Sequence, residues 1–148
     1  MVNQSFTVKY RPEFINQFKI KELQEIIRTF INIGKMVILL TGNSGTGKTT
    51  ILQTIVREYY GADKSKDSDN ILSINTLKEQ GIAYYRNDVK IFCQSASTIP
   101  GKKKILILDD LDIINDQGQQ VFRNCIDKYS HNVCFIASCT NIQKVIEI

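Results

Sequence analysis

Two short stretches carry the residues whose types and spacing could do chemistry. The first is "GNSGTGKT", Gly42 to Thr49, which fits the pattern GxxxxGK[ST] at every position. Its glycines let the backbone curl until the N–H groups point inward. Together with the N-terminus of a following helix they make a nest for phosphates. Gly42, Asn43, Ser44, Gly45, Thr46 and Gly47 would line that nest, with Lys48, Thr49 and Thr50 at the helix start. Lys48 is expected to reach the terminal phosphates of a nucleotide, and the Thr49 hydroxyl to sit on Mg²⁺. The second stretch is "ILILDDLDII", residues 105–114, where an apolar run ends in two adjacent aspartates and a third follows two places on. An unpaired carboxylate is costly to bury, so the acidic pair needs a reason. Mg²⁺ takes oxygen ligands and sits against substrate phosphates. Asp109, at the carboxyl end of a strand, fits a metal contact, because ligands of open α/β sheets bind at that edge. Asp110 comes next and points elsewhere. Its two readings are a carboxylate that orients the attacking water, or a cap for the following segment. "VCFIASCTN" ends a further strand in polar residues. Asn141 there is either a neutral amide that senses the terminal phosphate or an ordinary turn asparagine.

The elements that must position these groups can be read from apolar patterning. Near-continuous apolar runs at 36–41, 71–75, 104–109 and 133–138 suit strands buried on both faces of a parallel sheet. Helical spacing occupies 21–33, 47–61, 82–97 and 118–130, with Gly61 as a helix-ending glycine. Strands alternating with helices predict a doubly wound α/β domain. The polar stretch at 61–70 reads as a loop.

Composition narrows the class. With 148 residues and 43% hydrophobic content, the chain can build one domain around one core. No apolar run approaches the ~20 residues needed to span a bilayer. "MVNQSFTVKYRP" lacks the apolar region of a signal peptide, so an intracellular location is expected. The net charge of +4 permits a polyanionic partner without requiring one. Cys93, Cys125, Cys134 and Cys139 form no CxxC, and His131 has no partner at metal-ligand spacing. Reduced, buried thiols are the expectation.

The order of these parts resembles the nucleotide-binding domain of AAA+ ATPases (a P-loop, RecA-like sheet flanked by helices), and more narrowly the small subunits of the replication factor C clamp loader. "VKYRP" (8–12), "GNSGTGKTT", "LSINTLKEQGI" (72–82), "RNDVKIFCQ" (86–94), "LILDDLD", "FRNCIDKYS" (122–130) and "ASCTN" (137–141) follow that family's motifs in order. The resemblance implies ATP and Mg²⁺ as ligands. It implies other loader subunits, a sliding clamp and primer–template DNA as partners, and no membrane. By it Val8, Tyr10, Arg11 and Pro12 would contact the adenine side, and Asn141 would be sensor 1. Asn75 would be a switch that holds the catalytic acid off-line until DNA binds. Arg86 and Lys90, four apart and so on one helix face, match positions that touch the template backbone, as does Arg123. Such contacts would be to phosphates, without sequence readout.

Departures from the family qualify the expectation. Asp110 stands where the family has glutamate. A water-orienting carboxylate drawn back by one methylene loses positioning, which can cost ~10²-fold in rate. "TLKEQ" replaces the family's S-D-E-R stretch. The Ser-Arg-Cys motif with its arginine finger, the fifth strand, the helical lid and the collar are not found. The chain is therefore expected to be an incomplete AAA+ domain over 1–148, a fragment of a longer chain or a truncated gene product. In the expected strand order 5-1-4-3-2 the first strand would lie at an apolar edge. Lys102 to Lys104 are expected to be a solvated loop, and Tyr84 and Tyr85 to divide between core and surface. Ile113 and Ile114 either touch a clamp or start a helix. The main functional reading is an ATP-hydrolysing subunit of a clamp loader. Its alternatives are a loader subunit that binds ATP with little hydrolysis, or another AAA+ initiator or helicase-loading ATPase. A nucleoside kinase would need an arginine-bearing lid, and no such segment is present. Nucleus, cytosol and a viral replication site in cytoplasm all stay open.

Overall fold

The computed structural model describes residues 5–62, 69–74 and 81–146. Its four parallel strands are β1 (Val37–Thr41), β2 (Ile71–Ile74), β3 (Lys104–Leu108) and β4 (Val133–Cys139), in the order β1-β4-β3-β2. The helices are α1 (Phe6–Lys9), α2 (Lys21–Ile33), α3 (Lys48–Tyr60), α4 (Ile82–Gln94) and α5 (Asp116–Tyr129). Three short 3-10 turns lie at Ile15–Gln17, Leu111–Ile113 and Ile142–Lys144. The sheet follows the expected order, with β1 at one edge of the described strands.

Why the strand runs are apolar throughout is visible in the two cores. Leu106, Leu108, Val133, Phe135 and Ala137 face α4 and α5, where Tyr85, Val89 and Phe122 are buried. Ile105, Cys134 and Ile136 face the other way, toward α2 and α3, where Ile27, Leu52, Ile55 and Tyr59 are buried. Side chains alternate along a strand, so a sheet covered on both faces needs apolar residues at every position. All seven residues of β4 are buried.

The α4–α5 contact depends on a glycine. A Cβ on Gly118 would lie 2.5 Å from Ile114 Cγ2 and 3.3 Å from Tyr85 Cε2. Its absence lets α5 start close against α4. One turn on, Phe122 meets the Tyr85 ring at a centroid distance of 5.1 Å. Asn115 caps α5, accepting the Gly118 N–H at 2.8 Å, with Asp116 in the first turn and Lys128 in the last, the polarity a helix dipole favours. α3 stops at Gly61 as expected, its N–H donating to Arg57 O at 2.8 Å.

At the β1 edge Val37 and Leu39 are 50% and 38% exposed. They open on an apolar groove of about 620 Å³ lined also by Ile142, Val145 and Ile146. All four cysteines are buried and free of disulfides. Tyr85 is buried and Tyr84 half-buried, the expected division. Ile114 is buried while Ile113 is 60% exposed.

Lys104 opens β3, as the run at 104–109 predicts, but the lysine run is not the solvated loop expected. Lys104 belongs to β3 and is buried; its Nζ donates to Phe92 O at 3.2 Å and to Ser95 Oγ, and lies 4.4 Å from the Phe92 ring centroid. It satisfies a carbonyl at the C-terminus of α4, where a cation is favoured. Burial holds its pKa below the usual lysine value. Lys102 is half-buried, its Nζ 4.6 Å from the Tyr59 ring centroid. Apolar rings and a helix end within reach of these stems outweigh full hydration.

Candidate functional site

The phosphate loop leaves β1 and enters α3, so the strand and the helix fix both its ends. Gly47 caps α3 with φ 91°, and Gly45 has φ 80°, left-handed backbone that a side chain would strain. Gly42 N–H donates to Cys139 O at 3.3 Å, tying the start of the loop to the end of β4. Lys48 is buried. Its Nζ donates to Gly42 O at 2.7 Å and Asn43 O at 2.9 Å, so the ammonium stays inside the loop. Thr46 Oγ1 donates to Asn43 O at 2.8 Å, bracing the same turn. Thr50 is half-buried and its carbonyl accepts the Thr54 hydroxyl; Ser44 is exposed.

The aspartates meet this loop across the strand ends. Thr49 Oγ1 donates to Asp109 Oδ2 at 2.8 Å. This one contact joins the start of α3 to the end of β3, and it brings together the two residues read from sequence as the metal pair. Hydroxyl and carboxylate oxygens are the donor set that suits a small, hard cation. Asp109 Oδ1 accepts the hydroxyl of Ser138, a fully buried residue of β4. The same Ser138 Oγ accepts the Asp110 N–H at 3.0 Å. Asp112, the third acid, accepts the N–H groups of Thr140 at 3.4 Å and Asn141 at 3.0 Å, binding the Asp109–Asp112 turn to the segment after β4.

Asp110 is the one non-glycine residue with positive φ among the described residues, at φ 58° and ψ 54°. Aspartate tolerates this left-handed region better than most side chains. Burial, and then the charges of Asp109 and Asp112, hold its pKa above the usual carboxylate range; Lys48 pulls it partly back. Its side chain makes no cap hydrogen bond to the following 3-10 turn. The capping alternative therefore finds no support, and the carboxylate stays available for a ligand. Asn141, in contrast, does cap: its Oδ1 accepts Gln143 N–H at 3.1 Å. Its carbonyl end is engaged in the turn, so what the side chain can offer a phosphate or water is its amide N–H donors.

Other expected residues scatter. Val8, Arg11 and Pro12 line a small pocket of about 190 Å³ with Gln53, Thr54 and Arg57 of α3. Arg11 Nη1 donates to Gln53 Oε1 at 3.3 Å, and Glu13 pairs with Arg57 at 3.3 Å, pinning this segment to α3. Tyr10 does not line the pocket; it stacks on Phe6 at a centroid distance of 5.9 Å. Arg86 and Lys90 share a groove of about 690 Å³ between α4 and α5 with Lys128, Asp116 and Asn124. Arg123 is exposed on α5 but is not among the residues lining that groove. Asn75 and "TLKEQ" lie outside the described residues.

Ser138 and Asp112 were not singled out by spacing. The available signals were a polar residue inside an otherwise apolar strand and a third acid with no assigned partner. Among the described residues no helix is long and apolar enough to cross a membrane.

Comparison with known proteins bears on the same segments. Replication factor C subunit 2 of Arabidopsis thaliana is 33% identical over 152 aligned residues, covering 98% of this chain and 44% of the relative. Replication factor C subunit 4 of Saccharomyces cerevisiae is 34% identical over 145 residues, covering 94% of this chain and 43% of the relative. The chain thus spans less than half the length of the curated relatives it matches. A DNA polymerase III gamma subunit-related protein of Thermotoga maritima superposes with TM-score 0.64 over 85% of this chain and 42% of its own, at 13% identity, a likeness of fold alone. Residues 38–148, which hold the phosphate loop, the aspartate cluster and Asn141, match the family described as "ATPase family associated with various cellular activities (AAA)"; the chain belongs to that family.

Proposed function

We propose that this chain is the nucleotide-binding domain of an ATP-hydrolysing clamp-loader subunit, which places a sliding clamp on primer–template DNA together with other loader subunits. The observation that carries the reading is the contact of Thr49 with Asp109 beside the Lys48 loop, in a chain similar to replication factor C subunits along nearly its whole length. Thr49 and Asp109 are the residues that would hold Mg²⁺. Bound there, the ion would supply positive charge that offsets the charge developing on the phosphates. Lys48 leaves its loop carbonyls for phosphate oxygens. Asp110 accepts the proton of the attacking water, and Asn141 donates an amide N–H near the terminal phosphate. Asp110 needs its carboxylate form for this, so its raised pKa makes the base form appear at higher pH than for an ordinary aspartate. Val8, Arg11 and Pro12 take the base side of the nucleotide. Arg86 and Lys90, joined by Lys128, take the DNA backbone at the α4–α5 groove.

A second reading is favoured by Asp110 itself: an ATP-binding subunit with little hydrolysis of its own. A carboxylate one methylene short holds the attacking water out of position. ATP turnover of the assembled loader, with and without primed DNA and clamp, separates the two. Stimulation lost in both Lys48→Ala and Asp110→Ala supports the motor. ATP binding without DNA-stimulated turnover, unchanged by Asp110→Ala, supports the second reading.

A further inference from the structure

We propose that Ser138 is a positioning residue for the nucleotide site, one hydroxyl that aims both the metal-binding carboxylate of Asp109 and the backbone of Asp110. This rests on the functional reading above and adds a residue to it.

The hydrogen-bond chemistry of the contact leaves one assignment. An ionised carboxylate only accepts and a backbone N–H only donates. The single Ser138 proton therefore goes to Asp109 Oδ1, and a lone pair of the same oxygen accepts the Asp110 N–H at 3.0 Å. Ser138 is fully buried, so water does not substitute for it. Its place follows from the sheet: Leu108 pairs with Ala137 in the β3–β4 register, so the next residues, Asp109 and Ser138, come side by side as β3 ends.

The two bonds do different work. The first holds one carboxylate oxygen of Asp109 while the other faces Thr49 at 2.8 Å. A carboxylate anchored on one side keeps its remaining oxygen aimed, as outer partners of metal ligands do. The second holds the N–H of a residue in left-handed backbone, φ 58°, whose carbonyl is also tied, accepting Ile113 N–H at 3.0 Å. Such a conformation persists only where its surroundings over-determine it. Ser138 thus couples the direction of Asp110 to that of Asp109 through one atom. For a catalytic acid one methylene short, backbone placement is the remaining means of setting its reach.

The test compares wild type with Ser138→Ala and Ser138→Cys in the full chain. Cysteine keeps the branching of the side chain, with a larger atom at its tip, but is a weak donor and acceptor. Two readouts are taken: hydrogen exchange at the Asp110 amide, and the Mg²⁺ concentration that half-saturates binding of a fluorescent ATP analogue. In Ser138→Ala we expect Asp110 exchange to speed by tenfold or more while β4 amides hold. The half-saturating Mg²⁺ should rise by about 10- to 100-fold, the usual cost of losing an outer partner of a metal ligand. Nucleotide binding without Mg²⁺ should stay unchanged, and Ser138→Cys should fall between. Unchanged Asp110 exchange in a folded Ser138→Ala overturns the proposal, as does Mg²⁺ dependence equal to wild type. If wild type binds Mg²⁺–nucleotide but does not turn it over, the motor reading fails while both readouts still decide the role of Ser138. Failure of wild type to bind nucleotide at all overturns both.

Discussion

Asp110→Glu sets two effects of one substitution against each other. Glutamate carries the carboxylate about 1.5 Å further out. If the short reach of Asp110 limits water positioning, restoring it raises the DNA-stimulated ATPase rate by as much as ~10²-fold, close to 2.7 kcal/mol of barrier. The backbone works the other way. Asp110 sits at φ 58° and ψ 54°, left-handed backbone that aspartate tolerates better than glutamate. That difference is on the order of 1 kcal/mol. In a chain of 148 residues it lowers the unfolding temperature by about 2–4 °C. A faster but less stable enzyme is the expected result, read by steady-state ATPase of the assembled complex and by thermal unfolding of the chain. An unchanged or slower rate, with stability reduced as calculated, refutes the claim that reach limits turnover. An unchanged unfolding temperature refutes the claim that the turn selects aspartate for its backbone.

Three further outcomes follow from particular contacts. Asp110→Asn removes a charge that burial, Asp109 and Asp112 disfavour while keeping a residue that tolerates left-handed backbone. Because the folded pKa of Asp110 is raised, the stability it contributes is present below its ordinary pKa of 3.8 and lost as pH rises through the folded value. The variant should therefore unfold at a higher temperature than wild type at pH 7, an advantage that disappears below pH 3.8. Gly118→Ala places a Cβ 2.5 Å from Ile114 Cγ2 and 3.2 Å from Asn115 Oδ1, the atom that caps α5. Overpacking and a disturbed cap outweigh the helix propensity of alanine, and denaturant unfolding should show a loss of about 1–3 kcal/mol. Lys90→Ala should weaken DNA binding by the assembled loader equally across sequences and lower the slope of log affinity against log salt by about 1. A sequence-dependent loss would place Lys90 on bases and not on phosphates.

The phosphate loop, the aspartate pair, the four strands and the four longer helices were legible in the chain itself, because each rests on local pattern; the short helix Phe6–Lys9 was not. Loop glycines, strand runs and helical spacing express constraints between residues close in sequence, and both Thr49 and Asp109 fell on the strand and helix ends that such patterns locate. Only the tertiary structure decided what lies between elements. Ser138 reads as one polar residue among apolar neighbours until the β3–β4 register sets it beside Asp109. Asp112 reads as a spare acid until the segment after β4 turns back onto it. Lys104 reads as one of three loop lysines until α4 ends against its ammonium. The resemblance groups Arg123 with Arg86 and Lys90, and the packing of α5 against α4 is what brings Lys128 into the groove those two line. The physical reason is common to all four. A hydrogen bond or a groove forms between groups 12 to 42 positions apart, a separation that no helical or strand period encodes, and it exists only once the packed sheet has closed that distance.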